Sequence, residues 1–189
     1  VRDGGLQCHV LGHGAPRGIC GSGLVDAVAA GLELGWVSSK GRLANGEPLA
    51  LAGPVLLTQR DVRELQLAKG AIAAGLHILL EQWGATKADL AQVFLAGAFG
   101  NYVNQASARR IGLLDVAAEK VTPAGNTALL GAKLALFSLR EHAGAYPEIL
   151  GKVKHVSLNE DAQFQETFVE EMVFPGDGAY GVGAGGAGA

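Results

Sequence analysis

A short apolar run that ends in a glycine-rich turn most constrains what this chain can fold into. Residues 92–96 read Gln-Val-Phe-Leu-Ala, and Gly-Ala-Phe-Gly-Asn follows directly at 97–101. An apolar run of this length, bounded by glycine, predicts a buried strand of a parallel sheet. Ligands bind at the carboxyl ends of such strands, so the turn at 97–101 is predicted to be the ligand-facing end.

Strand-like and helix-like segments alternate around this run and predict an α/β layered fold. Helices are predicted for 24–34, 58–83, 85–90, 105–111, 127–141 and 160–171, with asparagine N-caps at 104, 126 and 159. Further strands are predicted for 6–11, 120–122 and 152–158, and a hairpin or surface loop for 40–48; residues 49–57 are a short apolar stretch broken by Gly53-Pro54. We expect one domain over residues 1–175 and a flexible Gly/Ala tail over 176–189.

The longest predicted helix begins after Thr58, which with Asp61 resembles a capping box, and ends at Gly84. Lys69 falls inside the apolar stripe of this helix, where a lysine is unusual. Either its stem lies along the core and its ammonium group reaches water, or the cation is aimed at a ligand in a cleft. The predicted stripe consists of Val62, Leu65, Ile72, Leu76, Leu79 and Trp83.

Composition excludes several classes of protein. The chain has 189 residues, 49% of them hydrophobic and 17% charged, which fits a globular domain and not a disordered chain. A formal net charge of −3 gives no basic field for nucleic acid. No apolar run of about 18 residues is present, so no membrane span is expected. The chain starts at Val1 without a signal peptide, which we interpret as a cut inside a longer protein.

The two cysteines, Cys8 and Cys20, form no CxxC pair and no cluster with histidine. We expect them to be small buried residues in a reducing compartment, hence a cytoplasmic protein without a zinc or iron–sulfur site in this chain. His9 and His13 could form a weak metal pair, although solvated loop residues are the better interpretation.

A second glycine motif, Gly-Ile-Cys-Gly-Ser-Gly at 18–23, stands directly before the first predicted helix. Glycines let backbone amides turn toward a ligand, and a helix N-terminus favours negative charge. Gly21, Ser22 and Gly23 are therefore candidates for phosphate contact, and the alternative is a tight strand-to-helix turn.

The motif at 97–101 suits a different part of a ligand. Gly97, Ala98, Phe99 and Gly100 leave room for a flat ring or a ribose to approach the backbone, and Asn101 can both donate to it and accept from it.

No arrangement of residues predicts a catalytic group in this chain. The acidic candidates Asp26, Asp61, Glu64 and Asp115 show no pairing for general acid–base work, and no Ser/His/Asp or Cys/His grouping stands out.

Five segments together resemble a known family. They are PRGICGSGLVDAVA, LTQRDVRELQLAKGAIAAG, VFLAGAFGNYVN, RIGLL and GNTALLGAKLAL, in this order between about residues 10 and 175. They resemble the C-terminal domain of the reductive activators of corrinoid proteins, within the superfamily of acetate and sugar kinases, heat-shock cognates and actin. The resemblance implies a ribonuclease-H-like half, the C-terminal subdomain, of the actin-like ATPase fold, with a mixed sheet flanked by helices.

The resemblance also implies site residues and partners. Residues 94–101 look like the superfamily's adenosine motif, and helix 58–83 is similar to one that lays polar side chains against the nucleoside, which supports Gln66 and Lys69 as ligand-facing. Helix 127–141 looks like a connecting helix that faces a partner helix on the other half. Such activators use ATP with Mg²⁺ to drive electrons from a 2Fe–2S cluster to Co(II) in a corrinoid protein or corrinoid-dependent methyltransferase, and a homodimer is expected.

Parts of the family pattern are missing from this sequence. The first phosphate loop with its catalytic aspartate, the Asp-Ile-Gly type loop, and the ferredoxin domain with its four cysteines should all precede residue 1. We therefore expect this chain to supply the adenosine side of an ATP site, with weak nucleotide binding and negligible hydrolysis when isolated. A small-molecule kinase of the same superfamily and a non-catalytic dimerisation or interaction domain are the alternatives.

Overall fold

The structure is a computed structural model that describes residues 5–138 and 145–176. The strands are β1 (Leu49–Ala52), β2 (Val55–Leu57), β3 (Val93–Ala96) and β4 (Val121–Gly125). The α-helices are α1 (Gly21–Glu33), α2 (Gln59–Trp83), α3 (Gly97–Tyr102), α4 (Gln105–Arg110), α5 (Thr127–Ser138), α6 (Ala145–Lys152) and α7 (Phe164–Glu171). Short 3-10 helices lie at Leu11–His13, Lys87–Asp89, Ala118–Lys120 and Leu158–Glu160.

The described strands form two pairs, and the predicted α/β class is confirmed. β1 and β2 are an antiparallel hairpin with Leu49 opposite Leu57, and Gly53 with Pro54 forms its turn. β3 and β4 are parallel, with Val93 opposite Val121, and their register shifts at Ala96. The parallel pair matters for function because its two carboxyl ends meet at one edge.

One hydrophobic core joins α1 to the elements around it. Val25 and Val28 of α1 are buried, as are Leu57, Ile111 and Phe174. Helix α1 packs against α4, α2 and α3, so it links the long helix to the parallel strands. The first turn of α1 is thereby held at a fixed place in the fold.

Local signals placed the long helix α2 correctly. The hydroxyl of Thr58 accepts a hydrogen bond from the amide of Asp61 over 3.2 Å, and the Asp61 carboxylate accepts from the Thr58 amide over 2.8 Å, which confirms the capping box. Gly84 ends the helix in the left-handed region with φ of 70°. The asparagine caps before α4 and α5 are also confirmed, because Asn104 accepts from Ser107 and Asn126 accepts from Leu129.

The predicted apolar stripe of α2 is wrong beyond Leu65. Ile72 is 54% exposed and Trp83 74% exposed. The buried face instead carries Gly70 and Gly75, because α7 and the turn before it approach the backbone closely there. A Cβ on Gly70 would lie 3.0 Å from Met172 Cγ, so any larger residue would press on α7.

Several other predictions are wrong in their secondary structure. Residues 6–10 and 153–157 form no strands, since a short alternating pattern makes a strand only where a partner strand lies beside it. The turn at 97–101 is the helix α3, and the last helix starts at Phe164 rather than after Asn159. Residues 139–141 of the helix predicted for 127–141, and residues 177–189 of the predicted tail, lie outside the described residues.

Helix α5 is apolar and yet exposed. None of its described residues is buried, and Leu130, Leu134 and Phe137 are 55%, 57% and 82% exposed. Such a contiguous apolar surface marks a contact with another part of a protein. No helix in the described ranges has both the length and the apolar character needed to span a membrane.

Candidate functional site

The carboxyl ends of β3 and β4 form an edge that is built on two glycines. β3 passes into Gly97 with φ of 85°, and β4 ends at Gly125 with φ of 71°. Both values lie in the left-handed region, which favours glycine. A Cβ added at either glycine would meet nothing within 4 Å, so open space adjoins the backbone at both positions. We call this feature, from Gly97 to Asn101 together with Gly125, the glycine edge.

A side chain ties the two strand ends together. Oδ1 of Asn101 accepts a hydrogen bond from the backbone amide of Gly125 over 3.1 Å. Gly100 is buried, and a Cβ there would lie 2.8 Å from the carbonyl carbon of Leu95. Glycine at position 100 therefore lets α3 fold back onto β3, which brings Asn101 to the second strand.

The two glycine motifs of the sequence meet in space. Gly21, Ser22 and Gly23 form the first turn of α1. A Cβ on Gly21 would sit 3.5 Å from the ring of Phe99 in α3. One region of the surface thus holds both sets of predicted site residues. Residues 21–23 are predicted to contact phosphate, and residues 97–101, including the exposed Ala98, are predicted to contact a ring or ribose.

Cys20 is the N-cap of α1, and the expectation that it is buried is wrong. Cys20 and Cys8 are both exposed free cysteines. Sγ of Cys20 accepts from the Gly23 amide over 3.3 Å and lies 3.5 Å from the Ser22 hydroxyl. The hydrogen bond with Ser22, followed by that from Gly23, lowers the pKa of the Cys20 thiol below its usual value. Its place directly before a predicted helix was the available sequence signal.

Gln66 and Lys69 are not presented to the glycine edge in this structure. They are 3% and 2% exposed, and their polar atoms bind the end of α7 and the residues directly after it. Lys69 Nζ donates to the carbonyl of Glu171 and to that of Val173, the latter over 2.9 Å. Burial lowers the pKa of Lys69 below 10.5, and the nearby Glu171 carboxylate, 3.5 Å away, opposes that shift in part. Neither of the two sequence interpretations of Lys69 included this arrangement.

Both polar atoms of the Gln66 side chain also have hydrogen-bond partners. Its Nε2 donates to the carbonyl of Met172 over 2.9 Å, and its Oε1 accepts from Arg63 Nη1 over 2.9 Å. Its amide lies against Gly41, where an added Cβ would come within 2.3 Å of Oε1. Contact of either side chain with nucleotide stays a prediction.

A groove of about 1420 Å³ lies along the other side of the α1 N-terminus. The chain segment before α1, the β1–β2 hairpin and α4 line it, and the N-cap Cys20 and Gly23 of the first turn of α1 also face it. Sequence reasoning missed this groove because its walls come from segments far apart along the chain.

Acidic and histidine side chains are dispersed in the described residues. Within residues 5–138 and 145–176, no group of three or more His, Cys, Asp or Glu side chains could hold a metal ion. His9 and His13 stack edge to face with ring centroids 5.6 Å apart. Three of the four candidate acids have structural partners: Asp61 caps α2, Glu64 pairs with Arg60, and Asp115 pairs with Lys87.

The glycine edge leaves room for a flat group. Open backbone at Gly97 and Gly125 suits a base or ribose, and the exposed Asn101 amide can hydrogen-bond to it. Contact of residues 97–101 with a ring or ribose stays a prediction.

Comparison with known proteins finds corrinoid activators and reductases among the relatives of this chain. The chain is 34% identical over 200 residues to the corrinoid activation enzyme RamQ of Eubacterium limosum, covering 91% of this chain and 34% of the relative. It is 37% identical over 112 residues to the Co(II) methylated amine-specific corrinoid protein reductase of Methanosarcina barkeri, covering 59% of this chain and 21% of that protein.

A solved structure, the reductive activator for corrinoid, iron–sulfur protein, superimposes with a TM-score of 0.75 and 31% identity over 84% of this chain and 28% of its own. The chain thus spans about a third or less of the length of the relatives it matches. The family described as the C-terminal domain of RACo, the ASKHA domain, matches residues 2–181. Because that match covers nearly the whole sequence, the chain belongs to the family of RACo C-terminal ASKHA domains.

Proposed function

We propose that this domain supplies the adenosine side of an ATP site in a reductive activator of a corrinoid protein. The observation that carries the proposal is the glycine edge, where Gly97 and Gly125 expose backbone and Asn101 joins the two strand ends. The resemblance to three corrinoid activators or reductases supports the same role.

Each part of the glycine edge has a task in this proposal. The open backbone at Gly97 and Ala98 accepts the flat base or ribose, and Phe99 closes the side toward α1. Asn101 presents its amide NH₂, because its oxygen is already used by Gly125. The first turn of α1, with Gly21, Ser22 and Gly23, would lie at the phosphate end, because a helix N-terminus favours negative charge.

The remaining parts of the activator are assigned to the rest of the polypeptide. Mg²⁺ and the catalytic aspartate would come from the two phosphate loops that the family resemblance places upstream. A 2Fe–2S cluster in an upstream ferredoxin domain would supply one electron at a time, and the substrate Co(II) of the corrinoid protein would become Co(I). The exposed apolar helix α5 is then available to pack against the other half of the ATPase.

Oligomeric state and location follow from the same proposal. We propose a homodimer in the cytoplasm whose partner is a corrinoid protein or a corrinoid-dependent methyltransferase. Exposed Cys8 and Cys20, both free, suit a reducing compartment.

The test is made on the intact polypeptide. Calorimetry with ATP and ADP should show binding, and the rate of Co(II) loss, followed by its electron paramagnetic resonance signal, should depend on ATP. No measurable binding of either nucleotide, or equal rates of Co(II) reduction with and without ATP, would overturn the proposal. The isolated chain should bind nucleotide weakly and hydrolyse it negligibly, so steady turnover by the isolated chain would contradict the division of labour.

A further inference from the structure

Both cysteines of the chain line the same groove. Cys8 and Cys20 are exposed and free, and both face the groove of about 1420 Å³ beside the N-terminus of α1. Sγ of Cys8 donates to the carbonyl of Leu51 over 3.4 Å, so this thiol lies against the hairpin wall of the groove. Cys20 is the N-cap of α1 in another wall. Two thiols that are 12 residues apart along the chain thus share one open space.

The chain between the two cysteines is loosely packed. None of residues 8–20 is buried. A Cβ built on Gly12, Gly14 or Gly18 would meet nothing within 4 Å, so the rest of the fold leaves space beside the backbone at three positions. A segment with few buried contacts costs little free energy to displace. Cys8 can therefore move into the groove without disturbing the hydrophobic core.

The two thiols differ in reactivity. Thiol–disulfide exchange begins with attack by a thiolate. The hydrogen bond with the Ser22 hydroxyl, followed by that from the Gly23 amide, lowers the pKa of Cys20, and the N-terminus of the 13-residue helix α1 favours a negative charge there. Cys20 is therefore the thiol that attacks a small oxidant first, and Cys8 is the thiol placed to react second.

We propose that Cys8 and Cys20 are a reversible redox pair that forms a disulfide bond across the groove. Cys20 attacks one sulfur of glutathione disulfide, and one glutathione leaves as a thiol. Cys8 then attacks Sγ of Cys20, and the second glutathione leaves. Two protein thiols are thereby oxidised, and one glutathione disulfide is reduced to two thiols. The bond requires Cα atoms about 4.4–6.8 Å apart, which residues 8–18 reach by closing over the groove.

The disulfide would change the first turn of α1. Sγ of Cys20 accepts a hydrogen bond from the Gly23 amide over 3.3 Å, and a disulfide sulfur is a poorer acceptor than a thiolate. The closed segment would also lie beside residues 21–23. Under the proposed function this turn is at the phosphate end of the nucleotide, so oxidation should weaken nucleotide binding. This last step rests on the proposed function, whereas formation of the disulfide does not.

Peptide mapping of the intact polypeptide tests the disulfide directly. Trypsin cleaves after Arg17, which separates the cysteines into peptides 3–17 and 18–40. The protein is equilibrated in glutathione buffers of increasing oxidised fraction, alkylated and digested without reductant. We expect peptides 3–17 and 18–40 to be joined, and dithiothreitol to separate them. Alkylated Cys8 and Cys20 in every buffer, or glutathione that stays on Cys20, would overturn the inference.

The affinity for ADP provides the second measurement. If the disulfide-bonded form excludes ADP and about one molecule in ten stays open, oxidation should raise the apparent Kd about tenfold. Cys8→Ser keeps Cys20 and all of α1, and it should abolish this rise. His9→Ser is the matched control, because His9 is exposed in the same groove next to Cys8. It should respond to oxidation as the unsubstituted protein does.

Each result bears on one of the two proposals. Joined peptides together with a rise in Kd that Cys8→Ser abolishes support both. Separate peptides in a protein that binds ADP overturn the redox pair and leave the proposed function standing. Joined peptides with an unchanged Kd overturn the control of nucleotide binding by this pair. Absence of ADP binding in the reduced protein overturns the proposed function, and the peptide map still decides whether the disulfide forms.

Discussion

Asn101 and Gly125 are joined by a hydrogen bond of 3.1 Å between the Asn101 side chain and the Gly125 amide. They are 24 residues apart along the chain: Asn101 lies in the helix that follows β3, and Gly125 is the last residue of β4. The bond therefore fixes the separation of two turns that a nucleoside would have to contact together. Removing it should affect ligand binding more than it affects the fold.

We expect Asn101→Ala to weaken nucleotide binding by the intact protein about fivefold to tenfold. The loss of one side-chain hydrogen bond is worth about 1 kcal/mol, and the Gly125 turn is no longer held in place. Calorimetry with ADP gives the Kd, and thermal unfolding gives the stability.

The control for Asn101 is Gln92→Ala. Gln92 Nε2 donates to the Thr122 hydroxyl over 3.0 Å and so bridges the same two strands at their opposite ends. Gln92→Ala should lower the stability by about as much as Asn101→Ala does and leave the Kd for ADP unchanged. Equal losses of affinity in both variants would show that strand pairing, not the glycine edge, controls binding.

A second prediction concerns Gly97→Ala. A φ of 85° disfavours an L residue by about 1 kcal/mol, and the added methyl would enter open space at the proposed nucleoside position. We expect a modest drop in melting temperature together with a large drop in ADP affinity.

Gly46→Ala is its matched control. Gly46 has φ of 70°, and a Cβ there would also meet nothing within 4 Å, but it lies in the loop before β1. The two substitutions should lower stability alike, and only Gly97→Ala should weaken binding. If the Gly97→Ala protein binds ADP with unchanged affinity, the nucleoside does not lie against Gly97.

Local chemistry made much of the fold predictable. The start of α2 at Thr58, its end at Gly84 and the caps Asn104 and Asn126 depend on residues within one helical turn of each other. Gly125 is not among the site residues predicted from the sequence. Gly125 directly precedes the helix cap Asn126, so it lies between a strand and a helix, as does Gly97 after β3. That repeated pattern was the signal that sequence reasoning could have used.

Long-range backbone contacts were not predictable in this way. The partners of Lys69 are carbonyls 102 and 104 residues later, and every residue type carries a carbonyl. A sequence therefore marks Lys69 as an unusual buried cation without showing what satisfies it. The predicted apolar stripe of α2 fails for the same reason. Packing of Gly70 against α7 and of Gly75 against Leu158 determines which face of α2 is buried.

The capping box of α2 makes stability depend on pH. Hydrogen bonds from the Thr58 hydroxyl and then the Thr58 amide lower the pKa of Asp61 below 3.8. The folded chain thus binds this proton less tightly than the unfolded chain, so the stabilisation is present above pH 3.8 and is lost as pH falls through the lower folded pKa. Thr58→Ala should lower the free energy of unfolding by about 1 kcal/mol at pH 7.

Denaturant titrations at pH 7 and pH 3 check this prediction. The difference between Thr58→Ala and the parent should shrink at the lower pH. Thr86→Ala removes an equivalent box before the 3-10 helix Lys87–Asp89, which has no buried residue, and should cost less at pH 7. A Thr58→Ala deficit that stays constant with pH would exclude the Asp61 carboxylate as its source.

The same substitution should have opposite effects at two helical glycines. At Gly70 of α2, a Cβ would lie 3.0 Å from Met172 Cγ and 3.2 Å from the Phe168 carbonyl oxygen, so Gly70→Ala pushes α7 away and should cost about 1–3 kcal/mol. At Gly131 of α5, a Cβ meets nothing within 4 Å, so Gly131→Ala should stabilise by about 0.5–1 kcal/mol through its better helix propensity. Chemical denaturation of both variants measures the two signs. Because α7 leads into residues 172–175, which bind Gln66, Lys69 and Ser39, Gly70→Ala should also speed hydrogen exchange at residues 171–176, whereas Gly131→Ala should not. A stable Gly70→Ala protein with normal exchange would show that α7 does not rest on this glycine.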